Sequence, residues 1–126
     1  MTALLEHANY TVSDTAATAA WIEKIFGWHI GWQGASLSNG QSVHVGTKER
    51  YLALYTPKET QAPKAENYTL LGGQNHIAVV VEDLEATEAQ VRAQGFVVGT
   101  HHDYEPGRRF YFYDDDGIEY EVVQYD

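Results

Sequence analysis

His7-Ala-Asn-Tyr-Thr-Val-Ser-Asp14 and His76-Ile-Ala-Val-Val-Val-Glu-Asp83 carry one pattern twice, 76 minus 7 or 69 positions apart. Each stretch opens on a histidine, alternates through β-forming residues and closes on an aspartate, a residue type that caps helix N-termini. Behind Asp14, Ala16, Ala19, Ala20, Trp21, Ile22 and Phe26 supply a broad apolar helix face, and Gly27 stops the helix. Behind Asp83, Leu84, Thr87 and Val91 mark one face of a helix running to about Gln94, stopped by Gly95. A strand entering a helix, repeated at fixed separation, predicts a duplicated module.

Outward from the repeat, three short strands follow each helix. In the first module they are expected over 28–33, 41–46 and 51–55, separated by Ser38-Asn39-Gly40 and the polar run from Thr47 to Arg50. In the second they are expected over 96–100, 109–113 and 119–125, with Asp114-Asp115-Asp116-Gly117 as the last turn. The leading strands are expected over 5–12 and 75–81. Residues 57–74 hold two of the prolines, several charges and the Gly72-Gly73 pair, the composition of a connector. The reading is therefore an α+β chain of two paired βαβββ modules, about 1–56 and 75–126, making one domain over residues 1–126.

A chain of 126 residues with 44% hydrophobic and 13% aromatic content can build one real core. Its net charge is 8 minus 18, or -10, without a basic run, which argues against nucleic acid and membrane surfaces and for a small-molecule partner. The cysteine count of 0 excludes disulfides, thiolate metal sites and a cysteine nucleophile in this chain. Met1 to His7 lacks a basic region followed by an apolar run, and a cytoplasmic protein is expected.

Alternate strand residues face opposite sides of a sheet. If the helices cover the Ala8/Tyr10/Val12 and Ile77/Val79/Val81 faces, His7, His76 and Glu121 all point the other way. Two imidazoles and one carboxylate form the donor set of a mononuclear metal site with open positions, suited to Fe(II), Mn(II), Ni(II), Co(II) or Zn(II). One divalent ion held by His7, His76 and Glu121 is the expected cofactor.

The doubled module, with a histidine heading each first strand and Asp114-x-x-Gly117-x-x-x-Glu121 closing the last hairpin, resembles the vicinal oxygen chelate superfamily. That superfamily includes glyoxalases, extradiol dioxygenases, fosfomycin-resistance thiol transferases and bleomycin-binding proteins. The resemblance covers nearly the whole chain and implies a glyoxalase/extradiol dioxygenase-like fold around one metal cleft, and a homodimer. Of four ligand positions in the superfamily, three match here; the fourth falls at about Ala53, which cannot ligate. Glyoxalase I uses four ligands, so the departure counts against that activity.

Extradiol members carry a tyrosine ten positions before the ligand glutamate and a histidine nineteen before it; 121 minus 10 is Tyr111 and 121 minus 19 is His102. The resemblance makes these two the expected catalytic residues, exchanging protons with a substrate hydroxyl. The pattern departs in the connector, where extradiol enzymes place another histidine and this chain has none. The thiol transferases also carry the tyrosine but surround an anionic phosphonate with basic groups, and only Arg108 and Arg109, after the turn Glu105-Pro106-Gly107, offer counterparts.

His29 and His44 read as surface or strand-packing residues, and at least one of Trp28 and Trp32 reads as core. The functional expectation is a small metalloenzyme acting on an oxygen-rich small molecule, favoured as an Fe(II)-dependent extradiol-type dioxygenase. The alternatives are a glyoxalase-like isomerase or lyase, and a metal-free, bleomycin-resistance-like protein that binds a drug or metabolite.

Overall fold

Asp14 and Asp83 start the two helices in the same way in a computed structural model of the chain, which describes residues 1–104 and 106–126. The Asp14 carboxylate accepts from the Ala17 amide at 3.1 Å and the Asp83 carboxylate from the Ala86 amide at 3.0 Å. Gly27 and Gly95 end the helices at φ +73° and +91°, the left-handed conformation that an L side chain resists. Between these signals lie α1 (Thr15–Phe26) and α2 (Leu84–Gln94).

The strands are β1 (His7–Thr11), β2 (His29–Ala35), β3 (Gln41–Gly46) and β4 (Tyr51–Thr56), then β5 (Ile77–Val80), β6 (Val97–Tyr104), β7 (Gly107–Tyr113) and β8 (Glu119–Tyr125). They form two four-stranded sheets, ordered β1-β4-β3-β2 and β5-β8-β7-β6, with β1/β4 and β5/β8 parallel and the other pairs antiparallel. The chain divides into two compact units, Met1–Gln61 and Ala62–Asp126, each one βαβββ module. The α+β architecture expected from the repeat is thus present. No helix among the described residues is long and apolar enough to cross a membrane.

Each unit buries one sheet face beneath its own helix. In the first, Val43, Val45, Leu52 and Leu54 are buried with Ala19, Ile22 and Ile25 of α1. In the second, Phe110, Phe112, Tyr120 and Val122 are buried with Leu84 and Val91 of α2. Phe112 stacks on Tyr120 at 5.1 Å and on Phe96 at 6.0 Å, so much of that core is a layer of rings. The opposite faces carry His7, Tyr51, Ala53 and His44 in the first unit and Glu119, Glu121, Tyr111 and Arg109 in the second, as the strand registers require.

Several elements differ from the sequence expectation. The buried residues of α1 are Thr15, Thr18, Ala19, Trp21, Ile22 and Ile25, while Ala16 and Ala20 are exposed. Position on the 3.6-residue period decides burial, and the threonines lie on the inner stripe although alanine is the more apolar type. β6 runs to Tyr104, not Thr100, because His101, His102, Asp103 and Tyr104 find partners on β7. The register slips between Ile30 and Trp32 and again between Val98 and His101, a bulge in each unit that turns the following residues to the other face. β5 begins at Ile77, so His76 stands just before its strand, whereas His7 is the first residue of β1. Glu105, which the sequence reading put in the turn Glu105-Pro106-Gly107, lies outside the described residues.

The Asp114 to Gly117 turn holds a buried carboxylate. Asp114 accepts the Asp116 and Ile118 amides at 2.9 Å each, and burial pushes its carboxyl from the ordinary 3.8 up to about 6. The folded chain therefore holds this proton more tightly than the unfolded chain. The stabilisation is fully present below pH 3.8 and is lost as pH rises through about 6. Asp114→Asn keeps an acceptor for both amides without the charge. In urea unfolding across this range, the variant should gain about 2 kcal/mol on the wild type between pH 4 and pH 6.5 and no more above it. A constant difference with pH would place the titration elsewhere.

Candidate metal centre

His76 is oriented through its Nδ1. That atom lies 3.1 Å from the Tyr68 hydroxyl and 3.3 Å from Glu119 Oε2. Tyr68 itself donates to Glu119 Oε2, and Tyr113 donates to Glu119 Oε1 at 2.9 Å. The neutral tautomer that satisfies this network carries its hydrogen on Nδ1 and leaves a lone pair on Nε2. Nε2 faces Glu121 Oε2 at 4.0 Å.

Glu121 is oriented through its other oxygen. Tyr111 donates to Oε1 at 2.6 Å, and Arg109 approaches the same oxygen at 3.5 Å. Glu121 as a residue is 8% exposed, and its buried carboxylate draws two donors. The bond to Glu121, followed by burial, pushes the Tyr111 hydroxyl up to about 12, so its proton stays in place at neutral pH. Tyr68 is likewise pushed up to about 12, first by its bond to Glu119 and then by burial. Arg109 also lies 5.0 Å from the centre of the Tyr104 ring, and its buried Nε has no hydrogen-bond partner among the described residues.

In the first unit, His7 repeats the arrangement. Its Nδ1 lies 2.8 Å from Glu6 Oε1, and Tyr51 donates to that same oxygen at 3.0 Å while its ring stacks on the imidazole at 5.0 Å. Both histidines thus have Nδ1 held at a carboxylate that also accepts from a tyrosine. Outer partners of this kind fix a metal-binding imidazole with Nε2 outward.

The donor chemistry of His76 and Glu121 fits a divalent ion. Two ligands each about 2.1 Å from one ion stand about 3.0–3.4 Å apart at octahedral or tetrahedral angles, so the observed 4.0 Å between Nε2 and Oε2 would close by about 0.6–1.0 Å on an ion. Among the described residues no three histidine, aspartate or glutamate side chains form a group that could hold a metal. The structure brings together His76 and Glu121 in the second unit and places His7 in the first.

His102 sits on β6, on the face of Tyr111, with its ring edge-on to Tyr111 at 6.0 Å and to Tyr104 at 5.9 Å. Its neighbour His101 turns to the helix side and pairs with Glu88 at 2.8 Å. The two arginines after the turn also separate: Arg108 pairs with Glu85 of α2, and Arg109 serves Glu121.

Ala53 takes the place in the first unit that Glu121 takes in the second. Asn9 faces Ala53 across β1 and β4 as Ala78 faces Glu121 across β5 and β8, and 78 minus 9 is again 69. On the other side His44 faces Ala53 as Tyr111 faces Glu121. His44 therefore lies on the face of His7, 6.4 Å from it, where it packs on Tyr51 at 4.6 Å. Sequence reasoning missed Glu119 and Glu6. Glu119 was findable as the residue two before Glu121, on the same face; Tyr68, in the connector, had no signal at all.

A family model described as the Glyoxalase/Bleomycin resistance protein/Dioxygenase superfamily matches residues 4–122. The chain belongs to this superfamily. Solved structures of superfamily type share its fold. A glyoxylase/bleomycin resistance protein/dioxygenase domain from Frankia sp. EAN1pec has a TM-score of 0.82 at 18% identity, covering 100% of both chains. The fosfomycin resistance protein FosX from Listeria monocytogenes, complexed with Mn(II) and sulfate, has a TM-score of 0.76 at 19% identity, covering 100% of this chain and 95% of that one. A glyoxalase family protein from Enterococcus faecalis has a TM-score of 0.74 at 19% identity, covering 95% of this chain and 96% of that one. Comparison with curated protein sequences finds no match.

The short Tyr111 bond to a buried carboxylate has a measurable consequence. Tyr111→Phe should destabilise chelator-treated protein by about 1.5–3 kcal/mol in urea unfolding, the worth of a hydrogen bond to a charged group. Tyr68→Phe should cost less, because Tyr68 is 57% exposed and water replaces its hydroxyl. Equal costs would mean that burial does not set the value of these bonds.

Proposed function

We propose that the chain is a divalent-metal-dependent enzyme acting on an oxygen-rich small molecule, with Fe(II) as the favoured ion and extradiol-type cleavage of a catechol as the favoured reaction. The observation that carries this reading is the placement of His76, Glu121, Tyr111 and His102 on one face of the second unit, with His76 Nδ1 and Glu121 Oε1 held by hydrogen-bonding neighbours and Nε2 and Oε2 turned toward each other. His7, whose Nδ1 is held by Glu6 in the same manner, is the proposed third donor. The ion, when bound, polarises substrate oxygens and lowers the pKa of a substrate hydroxyl.

The residues around it divide the remaining work. Tyr111 retains its proton and holds Glu121 in place, while Arg109 offsets the carboxylate charge. His102 is exposed and, among the described residues, has no hydrogen bond to a carboxylate, which suits it to accept a proton from a substrate hydroxyl. The arginines support this reading over an anion-handling one, since Arg108 and Arg109 are both already paired with glutamates. Ala53 supports it over the isomerase, because the repeat position of Glu121 holds no donor in the first unit.

The test starts with metal. His76→Ala and Glu121→Ala should lose Fe(II) or Mn(II) uptake by at least about tenfold in titration, and His7→Ala should lose it as well. Equal uptake by wild type and His76→Ala overturns the proposed site. With Fe(II) loaded and a turned-over catechol found by oxygen consumption, His102→Phe should keep the metal and slow turnover by about 100-fold. A loaded protein that binds catechols without consuming oxygen overturns the dioxygenase reading. Efficient turnover of the methylglyoxal–glutathione hemithioacetal moves the assignment to the isomerase.

A further inference from the structure

We infer that Glu88 of α2 is a positioning residue for His102, acting through His101 at the free edge of the second unit's sheet. The value of His102 as a proton acceptor rests on the function proposed above; its positioning rests on β6, β7 and α2 alone. In the order β5-β8-β7-β6, β6 is an edge strand with a ladder on one side only. The slip between Val98 and His101 interrupts that ladder, and residues 101–104 beyond it are all exposed. The segment that carries His102 thus lacks a second neighbouring strand to fix it.

The space on its helix side is open. A cavity of about 240 Å³ is lined by Leu84, Glu85 and Glu88 of α2 and by residues 101–103 and 108–109 of the two strands. The side chains of His102 and Arg109 turn to the other face, toward Tyr111 and Glu121. Two polar ties cross this space instead of packed apolar groups. Glu88 Oε1 lies 2.8 Å from His101 Nε2, and Glu85 accepts from Arg108 of β7. Glutamates three positions apart share one helix face, so α2 holds both strands from a single stripe.

Of the two ties, the one at Glu88 is the better held. Its second oxygen accepts from Arg92 Nε at 3.0 Å and Nη2 at 2.8 Å, an i,i+4 pair that fixes the carboxylate on the helix. The Glu88 side chain is 22% exposed against 68% for Glu85, so water competes less for it. His101 is in turn stacked at 6.0 Å on Phe110, a ring of the buried layer. Adjacent strand residues face opposite sides. A His101 clamped to the helix side therefore leaves His102 one direction, edge-on to Tyr111 at 6.0 Å and to Tyr104 at 5.9 Å.

The experiment uses full-length, chelator-treated protein and NMR. Glu88→Ala, and His101→Phe, which keeps a ring against Phe110, should each speed amide exchange in residues 101–104 by at least about threefold, the range for a partly exposed ion pair. Both should also weaken the cross-relaxation between the His102 and Tyr111 rings. Glu88→Gln, whose amide oxygen still accepts from His101, should stay nearer the wild type than Glu88→Ala on both readouts, and the amides of β8 should exchange as in the wild type throughout. Smaller changes in both Glu88→Ala and His101→Phe, equal acceleration across the whole second unit, or a Glu88→Gln no better than Glu88→Ala overturns the inference. None of these readouts needs a metal, so a wild type that takes up no ion overturns the proposed function alone.

Discussion

Burial of one sheet face beneath its helix is the constraint on which the functional faces depend. Once Leu52 and Leu54 are committed to α1, Tyr51 and Ala53 must point away from it; once Tyr120 and Val122 are committed to α2, so must Glu119 and Glu121. A one-residue slip of β8 would exchange an all but dry tyrosine for a charged carboxylate in the core. The apolar layer of Phe110, Phe112 and Tyr120 thus sets where Glu121 and Tyr111 can be, without touching the chemistry they would perform.

On the open faces, carboxylates act as anchors. Glu6 and Glu119 each hold a histidine through Nδ1 and each accept from a tyrosine hydroxyl, and Glu121 accepts from Tyr111. These bonds determine which imidazole nitrogen and which carboxylate oxygen stay available. They also keep the tyrosine protons in place, pushing Tyr68 and Tyr111 to about 12. The ordering of these faces is electrostatic and rests on the chain's own groups.

The two units show how a duplicated module divides its tasks. Register puts Ala53 where the second unit has Glu121 and His44 where it has Tyr111. The second unit keeps a carboxylate held by a phenol; the first loses the donor and gathers Trp32, His44 and Tyr51 into an aromatic wall. One backbone pattern thereby supports a carboxylate-bearing face in one unit and a ring-lined face in the other.

The repeat of His7 to Asp14 in His76 to Asp83, read with the apolar stripes, glycines and alternating runs around it, made legible the two helices, their aspartate caps and glycine stops, the succession of strands along the chain and, once the helices are assigned a face, the side of the sheet that Glu121 takes. These follow from local rules: capping chemistry and alternation act within a few residues of each other. The buried set Leu84, Thr87 and Val91 was legible for the same reason. What only the tertiary structure decided lies beyond the bulges and across strands. Alternation from Val98 would put His102 on the inner face, yet the slip before His101 turns it to Tyr111; the slip at Gly31 does the same for Trp32. Partners such as Tyr68 for Glu119 and His44 for Ala53 come from distant segments joined by hydrogen bonds and register, and a single chain of letters carries no local mark of either. A bulge adds one residue to a ladder, and its effect on facing is visible only where the partner strand is seen.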